Sequence, residues 1–332
     1  MVTRRSLLAL PGAALVPGAA FVATAGGASG ALAKPPQPHR FINILTAGTG
    51  GIFYPLGGAL STIIAARIAG TRPSVQSTRG SVENLNLMHQ GRGEVAFVQG
   101  DALAFAWAGN KEAGFTSKLD KVRGIAALYS SFIQVIATKE SGINTFTQLK
   151  GKRLSVGAKR SGTELTTRTL FKAAGMTYQD LGEIAYLPFD ETVDLMKNRE
   201  LDATLQTAGL GVPVIRELAN SFSIVVVEIP PAIVDKVGRP YVRAVIPKGS
   251  YRGQDDDVQA AGLPNYLVTR ADMPDELVYD ITKALFDSTA ELTAAHPAAA
   301  GIQLEQALGG MPVPLHPGAR LFYKEKGMTQ DR

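Results

Sequence analysis

Three short stretches rich in glycine and hydroxyl groups hold the residues best suited to chemistry: "AGTGGIFYP" (47–55), "STRGSVEN" (77–84) and "AKRSGTEL" (158–165). Each follows a run with strand composition and opens a helical pattern. The first N–H groups of a helix have no intrahelical acceptor, and the helix dipole adds positive potential there, so a helix start attracts anions. Arg79, Lys159 and Arg160 place full positive charges inside two of these stretches. An arginine can grip a carboxylate with two hydrogen bonds, and a hydrogen bond to a charged group contributes about 1.5–3 kcal/mol. The chemistry this pattern suits is the holding of a small anion. The same cations would equally be solvated side chains, or steer anions from outside the site.

Ser161 followed by Glu164 spells a capping box. It leaves the N–H groups of Gly162 and Thr163, and the Thr163 hydroxyl, free for a ligand. Gly50 and Gly51, beside Thr49, allow close approach of backbone to a small molecule. They lack G-x-G-x-x-G spacing, and no Walker lysine follows any of the three loops. Tyr54 either walls the site with a hydroxyl or packs on Pro55. Ser81 reads as a helix cap, which puts Asn84 in the first turn, able to bond back into it. Gln99 and Gln206 end strands. An amide that donates and accepts suits an amino acid or hydroxy acid, or simply bonds its own loop.

Several function classes drop out. There is no cysteine, which removes disulfides, cysteine nucleophiles, cysteine metal sites and a lipidated N-terminal cysteine. His39, His89, His296 and His316 have no metal-ligand spacing, and no serine sits in a pattern with an activating base. A net charge of +5 is too small for a nucleic-acid binder, and loss of Arg4 and Arg5 would reduce it further. The expectation is a binding protein, not an enzyme, with no cofactor and no metal.

The 332 residues suit two domains better than one. With 45% apolar and 19% charged residues the chain reads as globular. "MVTRRSLLAL", an uncharged stretch and "ALA" at 31–33 read as a Tat-like export signal over 1–33, cleaved near Ala33 and followed by a Pro-rich tether at 34–38. Strands are expected at 41–47, 74–78, 94–99, 132–139, 153–158, 223–229, 241–251 and 265–270. Helices are expected at 55–67, 82–90, from Asp101, from Ser161, at 212–219 and at 274–292, with a helix then a strand over 191–206. This alternation argues for an α/β fold with a parallel or mixed sheet. "LMHQGRGEVAFVQ" (87–99) and "LMKNRELDATLQ" (195–206) echo one another, as two similar halves would.

"TAGTGGIFYPLGGAL", "VQSTRGSVENLNLM", "EVAFVQGDALAFA", "INTFTQLKGKRLSVGAKRSGTEL" and "VPLHPGARLFYKEKG", in this order over almost the whole chain, resemble the TAXI family, the solute-binding receptors of TRAP transporters. The resemblance implies a two-lobed periplasmic binding-protein fold, type II-like, with hinge strands near "QVIAT" and "RAVIP". Lobe 1 would span 39–134 plus 248–332, and lobe 2 135–247. It implies a monomer that binds a small organic acid or amino acid such as glutamate in the cleft and delivers it to TRAP membrane subunits. Matched by position, the cleft would hold Thr49, Gly50, Gly51, Tyr54, Thr78, Gly80, Ser81, Asn84, Gln99, Asp101, Ser161, Gly162, Thr163, Gln206, Thr207 and Gly209. Arg79 and the Lys159–Arg160 pair depart from the family pattern by adding positive charge, which points towards an anion held with the help of Arg79 or Arg160. A receptor feeding a membrane signalling protein has the same fold. So do transferases that rely on a cysteine, which this chain lacks.

Overall fold

The computed structural model describes residues 40–329. The export signal, the tether and His39 lie outside them. From β1 (Arg40–Leu45) the chain runs through α1 (Phe53–Arg67), β2 (Thr71–Gln76), α2 (Ser81–His89), β3 (Val95–Gln99) and α3 (Gly100–Ala108). It enters the long strand β4 (Val122–Thr138), then β5 (Arg153–Ser155), α4 (Gly162–Ala173), β6 (Glu183–Ala185), α5 (Phe189–Lys197), β7 (Ala203–Ala208) and α6 (Pro213–Ser221). β8 (Ile224–Val227), α7 (Pro231–Val237), β9 (Val242–Ile246) and the long β10 (Val258–Arg270) follow, then α8 (Asp275–Asp287), α9 (Thr289–Ala295) and α10 (Pro317–Glu325).

Ten strands join in the order β2-β1-β3-β10-β4-β7-β5-β6, with β8 on β4 and β9 on β10. β2-β1-β3 and β7-β5-β6 are parallel triads. Their helical crossovers cover the sheet faces, which is why β3 and β7 are buried at every position. The antiparallel pair β10/β4 stands between the triads. Two α/β lobes, each on its own triad, joined by two long shared strands, form the two-lobed binding-protein fold. The echoing segments occupy matching places, because β3 and β7 each follow a helix and each pair with one of the two joining strands.

Burial explains the elements. Leu56, Leu60, Ile63 and Ile64 of α1 form the expected buried stripe. The helix starts at Phe53, ahead of Pro55, and a proline in the first turn removes no intrahelical bond. The joining strands are longer than expected. Gly124, Ser130 and Ser131 look like turn residues, yet Gly124 is inside β4 because a β-carbon there would stand 2.6 Å from Met311 Sδ. Ser131 Oγ accepts from Asn265 Nδ2 at 2.9 Å. Gly262 and Pro264 mask β10 in the same way; the register with β4 shifts just after Pro264. The expected helix 274–292 is two helices, broken at Ser288.

Candidate functional site

The loops after β1, β2, β5 and β6, together with the ends of β3 and β7, enclose a cavity of about 740 Å³. They are the carboxyl ends of parallel strands, where open α/β sheets hold ligands. Of the expected site residues, Thr49, Gly50, Gly51, Thr78, Arg79, Gly80, Ser81, Gln99, Ser161, Gly162, Thr163 and Thr207 line it.

Two helix starts, one from each lobe, converge on it. At α4, Ser161 Oγ accepts from Glu164 N at 3.0 Å, the expected cap. The Glu164 carboxylate does not complete the box; it pairs with Arg168 and accepts from Tyr178. The N–H groups of Gly162 and Thr163 have no acceptor among the described residues. At α2 the cap position is Gly80, at φ 113°, a backbone region open chiefly to glycine. Ser81 is therefore not the cap, and its Oγ accepts from Gln99 N at 3.0 Å. The lobes touch here. Glu83 N donates to Arg160 O at 3.0 Å, and a β-carbon on Gly80 would lie 3.8 Å from Gly162 N.

The glycine loop 48–51 also meets the other lobe. Thr49 Oγ1 donates to Asp190 Oδ2 at 3.3 Å. A β-carbon on Gly50 would stand 3.1 Å from Val214 Cγ1 and 3.3 Å from Asp190 N, and one on Gly48 3.6 Å from Pro188 Cβ. The close approach that these glycines permit is to the opposite lobe's 188–190 segment.

The remaining expected residues sit elsewhere. Tyr54 is exposed on α1 and off the cavity wall. Asn84 is fully buried and structural: its Nδ2 donates to Thr46 O and Phe97 O, and its Oδ1 accepts from Thr78 Oγ1. Asp101 is buried off the cavity wall, accepting from Tyr241 Oη at 2.5 Å, Thr166 Oγ1 at 3.0 Å and its neighbour Ala102 N. Burial pushes its carboxyl pKa up against the pull of these bonds. Arg160 is in the left-handed region at φ 66° and does not line the cavity; Lys159 does, with Nζ 5.0 Å from the centre of the Tyr186 ring. Gly209 accepts from Gln134 Nε2 and packs by Ile52. Gln206 is fully buried, and neither end of its amide has a partner among the described residues; the same holds for Thr207 Oγ1 and Gln99 Oε1.

The segment 186–191, "YLPFDE", supplies wall residues that the sequence reading missed. It is a fourth strand-to-helix loop, between β6 and α5, but it contains no glycine. Tyr129 and Ser131 of β4 also face the cavity. Burial holds the Tyr129 phenol protonated, far above its ordinary range. With Asp190 and Glu191 opposing Arg79 and Lys159 on the wall, the charges balance, so the expected excess of positive charge is absent. The helix starts add the positive ends of two helix dipoles to this balanced lining.

Fold and cleft together define the two-lobed architecture shared by periplasmic binding proteins. The chain belongs to the NMT1-like family, which it matches over residues 44–327. Its fold is similar to that of a protein from Bordetella bronchiseptica RB50 (15% identity, TM-score 0.55, covering 87% of this chain and 98% of that one). It is also similar to the periplasmic binding protein BugD (12%, TM-score 0.54, 88% and 94%). A third similar structure is PhnD1 from Prochlorococcus marinus MIT 9301 in complex with methylphosphonate (10%, TM-score 0.52, 80% and 91%).

Proposed function

We propose that the chain is an exported receptor that captures a small organic anion or amino acid between its lobes and delivers it to TRAP-type membrane subunits. The carrying observation is the convergence of two helix starts from different lobes on one cavity, with the Gly162 and Thr163 N–H groups unpaired. A carboxylate there gains both dipoles and the free donors, and only when the lobes are together. Ligand therefore favours closure. Asp190 and Glu191 on the far wall suit an amino or hydroxyl group of the same ligand. The chain passes between the lobes along β4 and β10, which pair with each other and with one triad each. The bound PhnD1 complex is an anion held on a similar fold, which supports this reading by analogy alone. The described residues contain no helix long and apolar enough to cross a membrane.

A thermal-shift screen of organic acids and amino acids tests this. A ligand at 100 times its dissociation constant adds about 2.7 kcal/mol of stability. Stabilisation by acids, weakened in Arg79→Gly or Lys159→Gln, is the expected result, with Arg160→Gly close to the parent. Stabilisation by sugars or amines but by no acid would overturn the proposal.

A further inference from the structure

We infer that the acid taken by this cleft has a flat aromatic body, an aryl or heteroaryl carboxylate larger than glutamate. This rests on the reading of the site as an acid receptor and goes on to the part of the ligand that the helix starts do not touch. Besides those starts the lining carries four rings, Phe53, Tyr129, Tyr186 and Phe189, together with Pro188. They come from separate pieces of the fold. Phe53 opens α1, Tyr129 is on the joining strand β4, and Tyr186 and Phe189 flank the β6–α5 turn of the other lobe.

The rings are held in place. Phe53 and Tyr129 are buried, and Phe53 packs on Phe97 at 5.6 Å between ring centres. A β-carbon on Gly51 would touch the Phe189 ring edge at 4.0 Å, so the glycine loop brings one lobe's backbone against the other lobe's ring. Lys159 Nζ stands over Tyr186, a cation at the edge of an aromatic surface. Aromatic walls favour a ring that can stack or pack edge to face. Size agrees. The cavity, about 740 Å³, lies in the upper part of the roughly 300–1,000 Å³ typical of sites that bury drug-sized molecules. A compact dicarboxylate seated on the helix starts would leave the half-buried rings of Tyr186 and Phe189 uncovered.

The test is isothermal titration of the purified mature protein with benzoate, phenylacetate, phenylpyruvate and indole-3-acetate, against succinate and glutamate. At least one aryl acid is expected to bind tenfold or more tighter than both compact acids. Phe189→Ala and Tyr186→Ala, checked for native circular dichroism, are expected to weaken that aryl acid about tenfold and to change succinate binding less than twofold. Glutamate or succinate binding as tightly as every aryl acid would overturn the inference while leaving the acid receptor intact. Equal losses for aryl and compact acids in both variants would also overturn it. Failure of all six acids to bind would remove the acid-receptor reading and this inference together.

Discussion

Gln99 of one lobe and Gly162 of the other meet with no room for a β-carbon: one built on Gly162 would stand 1.7 Å from Gln99 Oε1 and 2.8 Å from Ser81 Oγ. Gly162 is the first residue of α4, where alanine is conformationally acceptable. A substitution there acts through the contact between lobes and not through helix strain. Gly162→Ala is expected to weaken ligand binding at least tenfold, about 1.4 kcal/mol, with little change in the unfolding of the ligand-free protein. Gln99→Ala in the same chain opens the space and recovers part of the closure, though it removes an amide from the wall. Titration calorimetry of the single and double variants decides it; parent-like affinity in Gly162→Ala would show that the lobes bind ligand without this contact.

Asp101 and Tyr241 form a second tie, buried and off the cavity wall. Removing the phenol hydroxyl with Tyr241→Phe leaves a buried carboxylate with one donor fewer. The expected loss is about 1.5–3 kcal/mol at pH 7, read from urea unfolding. Because burial raises the Asp101 pKa in the folded state above its ordinary value, its ionisation opposes folding. The deficit of the variant should shrink as acidification protonates the carboxyl. A deficit constant down to low pH would place the loss in packing and not in the charge.

His316 is fully buried, its Nδ1 accepts from Gly318 N at 3.2 Å to cap α10, and its Nε2 has no partner among the described residues. Burial lowers its pKa, against the nearby Asp275 carboxylate, which pulls the other way. The neutral ring is the folded form. Its contribution to stability is therefore complete above the unfolded value of about 6.5 and is lost as pH falls through the lower folded value. His296, also lowered by burial, acts in the same direction. Unfolding midpoints that decline below pH 6.5 in the parent and decline less in His316→Asn are the expected outcome. Identical pH profiles would mean that His316 does not titrate on unfolding.

Much of the site was legible because its chemistry is backbone chemistry. Gly50, Gly80 and Gly162, with hydroxyl residues beside them, mark strand-to-helix turns whatever the tertiary structure. Alternating strands and helices gave the layered fold for the same reason. What stayed hidden was decided by contacts distant in sequence. "YLPFDE" has no turn signal of its own and becomes a wall only where α5 docks beside residues 48–51. The choice between Lys159 and Arg160 depends on a left-handed backbone at Arg160, a conformation that an arginine does not advertise. Asn84 and Asp101 look like ligand groups in sequence, and burial turns both into internal fasteners. The joining strands were underestimated because Gly124, Ser131 and Pro264 are turn-forming types used here for packing.

Pro264 sits in β10 beside the first of its two register shifts with β4, in the strand that links the triads. A proline gives no N–H to the ladder, so β10 has one cross-link fewer there. In the proposed receptor, a twist of one lobe against the other would load residues 264–268 of β10 first.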